Sequence, residues 1–372
     1  MSGEPIYLDW NATTPPHPAV LEAMAVASRE AWGNPASTHR VGRTARARVE
    51  DAREKLADIL AVHARDVLFT SGGTEANNLA LSGAVGLALS RLEHPSVTRV
   101  AEQLETRAVP VVWVDVPPSG RIEPEAYRSA LERLPRGSVA ALMAANHETG
   151  VLQPLEEVAL IAHSLGATLH VDAVQALGKV LPESFRFADS LAFAAHKIRG
   201  PKGIGAFAYR GARAPKPVLV GGSQERGLRP GTVDPVAAAG FLAALQQAEQ
   251  GPARYARLAA LRNDFEAAFA GTAEINGAQV ARLPHVSNLS FSGSSGDELV
   301  AALDLLGVCI SSGSACSAGT TEASPIITAM VGRERAKSAL RVSLGDTTTN
   351  LEIQAAIAAF KRALGSSSQP LK

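Results

Sequence analysis

The sequence predicts an α/β protein in which a large domain, built on a mainly parallel sheet wrapped by helices, is followed by a smaller α+β domain. Three observations carry that reading. Helical and strand patterns alternate through the first two-thirds of the chain, as strand–helix–strand crossovers require. The run VAALMAA (139–145) is apolar without alternation, which suits a strand covered on both faces. The alternation then stops after the Gly/Pro/Arg-rich stretch GARAPKPVLVGGSQERGLRPGT (211–232).

Taken in order, residues 43–61 (RTARARVEDAREKLADILA) carry Ala45, Val49, Ala52, Leu56 and Ile59 at helical spacing. DVLFT (66–70) reads as a short strand and TEANNLALSGAVGLAL (74–89) as a helix. After VAALMAA, LEEVALIAHSL (155–165) is a helix burying Leu155, Val158, Ala159 and Ala162, and TLHVDAV (168–174) and DSLAFAA (189–195) are strands. Beyond residue 232 a long helical region sets Leu258, Leu261, Phe265 and Phe269 on one stripe, and NLSF (288–291) and VCIS (308–311) are strands. One terminal helix opens at Ser324-Pro325, with serine as N-cap and proline in the first turn. The other opens at Thr349, where Glu352 completes a capping box. The tail GSSSQPLK (365–372) reads as mobile. The resulting division is 13–250 for the large domain, with 1–12 and 251–372 forming the small one.

Composition narrows the function classes. At 372 residues the chain can bury a sizeable core, and 36 basic residues against 36 acidic ones give no electrostatic argument for nucleic acid or an anionic membrane. No apolar run reaches the ~18 residues of a membrane span. The start MSGEPIYLDW lacks a secretion-signal layout. Two cysteines, Cys309 and Cys316, cannot build a disulfide framework, so a reducing, cytoplasmic setting is expected. Nine histidines without paired spacing predict no metal site.

Ligands of open parallel sheets collect beyond the carboxyl ends of the strands, and three segments bear chemistry there. SGGTEANN (71–78) offers glycines and a helix N-terminus to a single phosphate, although an ordinary strand–turn–helix accounts for it equally. In HVDAVQ (170–175), Asp172 leaves an apolar strand, where a carboxylate needs a cation. A helix cap or an ion pair with arginine would satisfy it, and so would a pyridinium nitrogen. In FAAHKIRGPKGIGAF (193–207), His196 and Lys197 emerge from another apolar strand, and a partly desolvated lysine can supply the free amine that condenses with an aldehyde. Phosphate cradle, aspartate and lysine together are what pyridoxal 5'-phosphate needs.

With those motifs, the sequence resembles the cysteine desulfurases of the NifS/IscS type, within the class V aminotransferase superfamily. The resemblance runs through YLDWNATTP, GNPASTH, FTSGGTEANN, ETGVLQP, HVDAVQALGK, HKIRGPKGIG, SSGSAC and LRVSLG, nearly the whole chain. It implies the fold type I architecture of pyridoxal-phosphate enzymes and conversion of L-cysteine to L-alanine, with the sulfur passing as an enzyme persulfide to an acceptor such as an iron–sulfur scaffold or a thiolation carrier. It implies that Gly73, Thr74 and His196 contact the cofactor phosphate. His94 would stack on the pyridine ring and move protons. Asp172 would pair with the ring nitrogen, Gln175 would bond the phenolic oxygen, and Lys197 would hold the Schiff base. Thr232 would reach the partner's phosphate, which implies a homodimer. Arg341 would fork the substrate carboxylate, with Asn34 nearby. Cys316, in the small polar loop SSGSACSAGTTEAS (311–324), would be the nucleophilic thiol, while Cys309 fits a strand. Two positions depart from the family pattern. His147 stands where an asparagine is usual near the cofactor oxygen and the substrate carboxylate, either donating one hydrogen bond there or packing beneath the cofactor. Ala194 stands where a serine would add a phosphate contact. The alternatives are another class V enzyme, a selenocysteine lyase or an aminotransferase, or a partner-binding protein on the same scaffold.

Overall fold

The computed structural model describes residues 4–211, 214–312 and 323–367. Its elements begin with β1 (Ile6–Tyr7), α1 (Pro18–Glu30), α2 (Arg40–Leu60), β2 (Val67–Thr70), α3 (Gly73–Leu81), β3 (Leu87–Ser90) and α4 (Pro95–Thr106). Next come β4 (Val111–Val114), α5 (Pro124–Leu131), β5 (Val139–Met143), α6 (Leu155–Ser164), β6 (Thr168–Asp172), β7 (Ser190–Ala194) and β8 (Gly205–Tyr209). The remainder comprises α7 (Pro235–Ala248), α8 (Gly251–Ala256), α9 (Leu258–Ala267), β9 (Glu274–Ile275), β10 (Val286–Ser290) and α10 (Gly296–Leu305). It ends with β11 (Val308–Cys309), α11 (Pro325–Val331), α12 (Arg333–Lys337), β12 (Ala339–Ser343) and α13 (Asn350–Ser367).

The central sheet has the order β2-β8-β7-β6-β5-β3-β4. Strands β3 to β7 run parallel, and β8 runs against both of its neighbours. Because β8 is reversed, β2 points the same way as β7, so every strand but β8 ends on the same edge. The predicted parallel, two-sided sheet is therefore present. Its buried apolar strands pack beneath α2, α6 and α7, whose inward faces include Leu56, Val158 and Phe241. A second core gathers Leu8, Leu258, Phe265, Phe269, Phe291, Leu340 and Phe360. It packs around the small antiparallel sheet β12-β10-β9. Strand β1 pairs in parallel with β11. This pairing ties the chain start to the C-terminal third and lays residues Asp9 to Ala12 along the border between the two cores.

Two sequence expectations change. TEANNLALSGAVGLAL is not one helix: α3 stops at Leu81, and Leu87–Ser90 becomes a fully buried strand. LALS is apolar all round, so no helical stripe exists to favour a helix over the ladder between β4 and β5. In the tail, α13 continues through Ser367, so the first part of GSSSQPLK is helical. Residues 368–372 lie outside the described residues, as does Cys316. The two predicted caps are in place: Ser324 Oγ accepts from the Ile327 amide at 3.1 Å, and Glu352 accepts from the Thr349 amide at 2.7 Å. Among the described residues no helix is long and apolar enough to cross a membrane.

Candidate active site

The shared strand edge opens into a cavity of about 780 Å³. Its lining includes Gly73 and Thr74 at the start of α3, His94 after β3, His147 after β5 and Asp172 at the end of β6. Ala194 ends β7 and is followed by His196 and Lys197 on the same wall, while Gln175 and Arg341 complete it. Segments far apart in sequence thus deliver most of the predicted side chains to one place because parallel strands finish on one edge, with Arg341 added from β12 of the small sheet.

The start of α3 is built for close approach. A Cβ on Gly73 would lie 2.6 Å from Val174 Cγ2, and the Ala194 methyl stands 3.8 Å away on the other side. The helix therefore brings its N-terminal amides against β6 and β7, where a positive dipole end favours an anion. On the neighbouring strand, Asp172 is held by two donors: Asn77 Nδ2 at 2.8 Å on one oxygen and the Val174 amide at 3.0 Å on the other. Asn77 also donates to Ser96 Oγ at 2.8 Å, and its own oxygen lies 2.9 Å from His170 Nε2. With both amide hydrogens committed, the Asn77 oxygen must accept, so His170 carries its proton on Nε2 and accepts from Ser190 at Nδ1. Burial holds His170 down to a pKa of about 3, so the ring stays neutral. Both Asp172 oxygens are thereby hydrogen-bonded, with the carboxylate at the cavity wall.

The same bookkeeping fixes His94. Ser96 donates to His94 Nδ1 through its amide, at 3.1 Å, so that nitrogen carries no proton, and the Ser96 hydroxyl, 2.8 Å away, donates to it as well. The imidazole proton therefore sits on Nε2. Burial lowers the His94 pKa, opposed by Asp172 and reinforced by Lys197. The ring meets His147 edge to face, with centroids 5.4 Å apart. His147 is held well below the usual histidine range by burial, then by His94, Arg341 and Lys197. His196 is pushed down to about 4, by burial first and by Lys197 second, and its Nδ1 lies 3.1 Å from Thr13 Oγ1. The cavity thus presents three neutral imidazoles at neutral pH, able to donate or accept one proton each.

Lys197 Nζ donates to the carbonyls of Asn11, at 2.5 Å, and Ala12, at 2.8 Å. The Asn11 carbonyl also accepts from Gln175 Nε2 at 2.9 Å. Arg341, on β12 and only 2% exposed, donates from Nη2 to Asp9 at 2.6 Å and from Nη1 to the His147 carbonyl at 3.1 Å. Its Nε is buried without a partner among the described residues.

Two predicted site residues stand apart from this group. Asn34 is exposed on the loop before α2, its side-chain oxygen accepting from the Ala36 amide at 2.9 Å, and Thr232 is exposed before α7; neither lines the cavity. Cys316 lies outside the described residues, but both flanks of its segment are described. Ser311 exchanges backbone hydrogen bonds with Arg341, at 2.7 and 3.3 Å, and Ala323, Pro325 and Ile326 line the cavity. Sequence reasoning also passed over two buried acids of the lining. Glu93 is pushed up to about 8, mainly by burial, with the Met143 amide pulling the other way. Glu148 is pushed up to about 7 by burial, against a 2.7 Å hydrogen bond from Ser324. Glu148 sits inside the motif ETGVLQP and Glu93 directly precedes His94, and in both places a carboxylate beside an apolar strand end was the available signal.

Comparison with known proteins gives a consistent picture. Residues 6–356 match the family "Aminotransferase class-V". The chain is 39% identical over 365 residues to a cysteine desulfurase of Cereibacter sphaeroides, covering 94% of this chain and 93% of the relative. It is 37% identical over 371 residues to an IscS-like cysteine desulfurase of Mycobacterium tuberculosis, covering 94% of each. Among solved structures, a NifS-like protein superposes with a TM-score of 0.88 at 30% identity, covering 97% of this chain and 100% of the other. A NifS-like protein from Rickettsia africae gives a TM-score of 0.87 at 29% identity over 97% of this chain and 100% of its own.

Proposed function

The chain belongs to the class-V aminotransferase family, and on that premise we infer that it is a pyridoxal-phosphate-dependent cysteine desulfurase, converting L-cysteine to L-alanine and passing the sulfur on through a thiol of its own. One observation carries the reading: an amine, a doubly hydrogen-bonded aspartate and a glycine-led helix N-terminus converge in one cavity with a buried arginine. That donor set fits pyridoxal phosphate. Gly73 and Thr74 would hold its phosphate with help from His196, Asp172 its ring nitrogen, Gln175 its phenolic oxygen and Lys197 its aldehyde. When bound, the cofactor supplies an electrophilic carbon for amines and an electron sink for the amino acid.

The chain's own residues do the rest. Arg341 takes the substrate carboxylate, and the place of this buried guanidinium in the cavity lining supports that role. His94 offers an Nε2 proton in an orientation set by Ser96 and Asn77. His147 adds a second neutral imidazole at the same wall. The thiolate of Cys316 attacks the sulfur of the bound cysteine. A sulfur–sulfur bond forms as the carbon–sulfur bond breaks, and the freed carbon takes a proton to become alanine. The tethering of both flanks of its segment beside Arg341 and the cavity supports that reach. The sulfur then passes to an acceptor protein, an iron–sulfur scaffold or a thiolation carrier. A reducing compartment, the cytoplasm, suits a reaction that runs through a free thiol. Exposure of Thr232, together with Val218, Leu219 and Val220 at 44%, 49% and 102%, supports a homodimer in which this stretch faces the partner.

The test is mass spectrometry of the holoenzyme after exposure to L-cysteine. One added sulfur on the peptide containing Cys316, with alanine as co-product, is expected. Cys316→Ala should keep the cofactor absorbance yet release no sulfide. Keto acid in place of alanine, or turnover by Cys316→Ala, would reject the assignment.

A further inference from the structure

Lys179 has no part in the chemistry above, and its setting is unusual. It is 4% exposed, at the end of the turn that follows β6. Among the described residues no carboxylate pairs with it, and its one hydrogen bond runs from Nζ to Gln175 Oε1 at 3.0 Å. A lysine buried without an anion is costly, and an apolar side chain would fill the space at less expense. The Tyr255 ring lies 5.9 Å from Nζ, at the outer range of a cation–π contact.

Resting on the cofactor reading above, we propose that Lys179 is a positioning residue that locks the side-chain amide of Gln175 with its NH₂ group toward the cofactor's phenolic oxygen. The geometry allows one orientation only. At one end the Asn11 carbonyl can only accept, and it lies 2.9 Å from Gln175 Nε2. At the other end, an ammonium can only donate, and it lies 3.0 Å from Oε1. A flipped amide would set donor against donor and acceptor against acceptor. Held this way, Gln175 spends one Nε2 hydrogen on Asn11 and keeps the second for the cavity that it lines. The Asn11 carbonyl also receives Lys197 Nζ at 2.5 Å, so the same clamp sets the two cofactor contacts relative to each other. Asn11 is itself fixed, its side chain bonded to the His147 carbonyl at 3.1 Å and to His285 Nε2 at 3.0 Å. Burial, then Lys197 and Arg341, lower the Lys179 pKa to about 7, so below that pH the group is the ammonium that the lock requires.

The test compares Lys179→Met, which removes the donor, with Lys179→Gln, which restores a donor without a charge. Three quantities are read on purified full chains: pyridoxal phosphate affinity by equilibrium dialysis, the visible absorbance and circular dichroism of the bound cofactor, and the melting temperature of the cofactor-free protein. Lys179→Met should bind the cofactor about fivefold more weakly, the effect of one neutral hydrogen bond, with a shifted visible band. Its cofactor-free melting temperature should be no lower than wild type, because an unpaired buried amine has gone. Lys179→Gln should return both affinity and band to wild-type values. An unchanged band and affinity in Lys179→Met would overturn the proposal. Equal defects in both variants would do so too, by assigning the effect to charge, as would failure of Lys179→Met to fold, by assigning the lysine to stability. Wild type that binds no cofactor at all would instead strike the reading on which the proposal rests.

Discussion

Glu93 and Asp172 share a cavity wall but receive opposite support. Asp172 has a donor on each oxygen, whereas Glu93 has the Met143 amide at 2.9 Å on one oxygen and nothing on the other among the described residues. Burial therefore decides for Glu93, with Asp172 adding to it, and the pKa rises from 4.5 to about 8. The folded protein then keeps a proton that the unfolded chain gives up. Stability from this group is full below the unfolded value of 4.5 and is lost as pH rises through about 8. Glu93→Gln cannot ionise. Its urea midpoint should match wild type near pH 5 and exceed it near pH 8 to 9; curves that stay parallel across that range would refute the neutral-acid reading. Residue-scale legibility follows the same physics. Lys197 and Asp172 stood out because a charge at the end of an apolar run requires a partner. Glu93 sits in the same kind of place, but an acid kept neutral by burial has no local sequence mark. Lys179 carries no mark of its own in HVDAVQALGK, since the partner that gives it meaning, Gln175 across a turn, is fixed only by the fold.

At the scale of elements, periodicity worked where one face of a segment is polar. The helix predicted for 43–61 appears as Arg40–Leu60 with Ala45, Val49, Ala52 and Leu56 buried, and both capped terminal helices begin where their caps indicated. It failed where a segment is apolar all round, and LALS passed for helix until β4 and β5 supplied the ladder. A second kind of element information, how closely two backbones must pass, was also only partly visible. The glycines after Lys197 are plain in FAAHKIRGPKGIGAF, but not which of them is indispensable. Gly205 opens β8, where a Cβ would lie 2.4 Å from the Phe193 carbonyl oxygen and 2.6 Å from Gly72 Cα. Both obstacles are backbone, so no rotamer change relieves them. Gly205→Ala should push β8 away from the end of β7 and displace the start of α3. The expected result is a loss of about 2–3 kcal/mol in unfolding free energy, with weakened cofactor binding. Gly203, at φ +80° with no heavy atom near its Cβ position, makes the control. Gly203→Ala should cost about 1 kcal/mol through backbone conformation alone and leave cofactor affinity unchanged. Urea unfolding and equilibrium dialysis read both effects, and equal losses in the two variants would show that proximity at Gly205 is not the cause.

At the scale of the whole molecule, the fold class was readable because alternating elements have few ways to bury both faces of a sheet, and the site because such a sheet gathers strand ends on one edge. What a single chain does not bring together is Thr232 with its expected phosphate. Thr232 is exposed and outside the cavity, and no local chemistry marks it; only the resemblance assigns it a role. The proposed homodimer turns that separation into a requirement: each site takes Lys197 from one protomer and Thr232 from its partner. Thr232→Asp would set a carboxylate against the phosphate, and like charges in a desolvated site repel strongly. Lys197→Ala removes the amine. Each variant alone should desulfurate cysteine poorly. Mixed and allowed to exchange subunits, the two form hybrid dimers in which one site inherits both defects and the other inherits none. Activity should therefore reappear on mixing, in proportion to the hybrid fraction measured by native mass spectrometry. If Thr232 served its own protomer, every site in the hybrid would keep one defect and mixing would recover nothing. The same null result with hybrids demonstrably present would remove Thr232 from the partner's site and, with it, the reason for building this active centre from two chains.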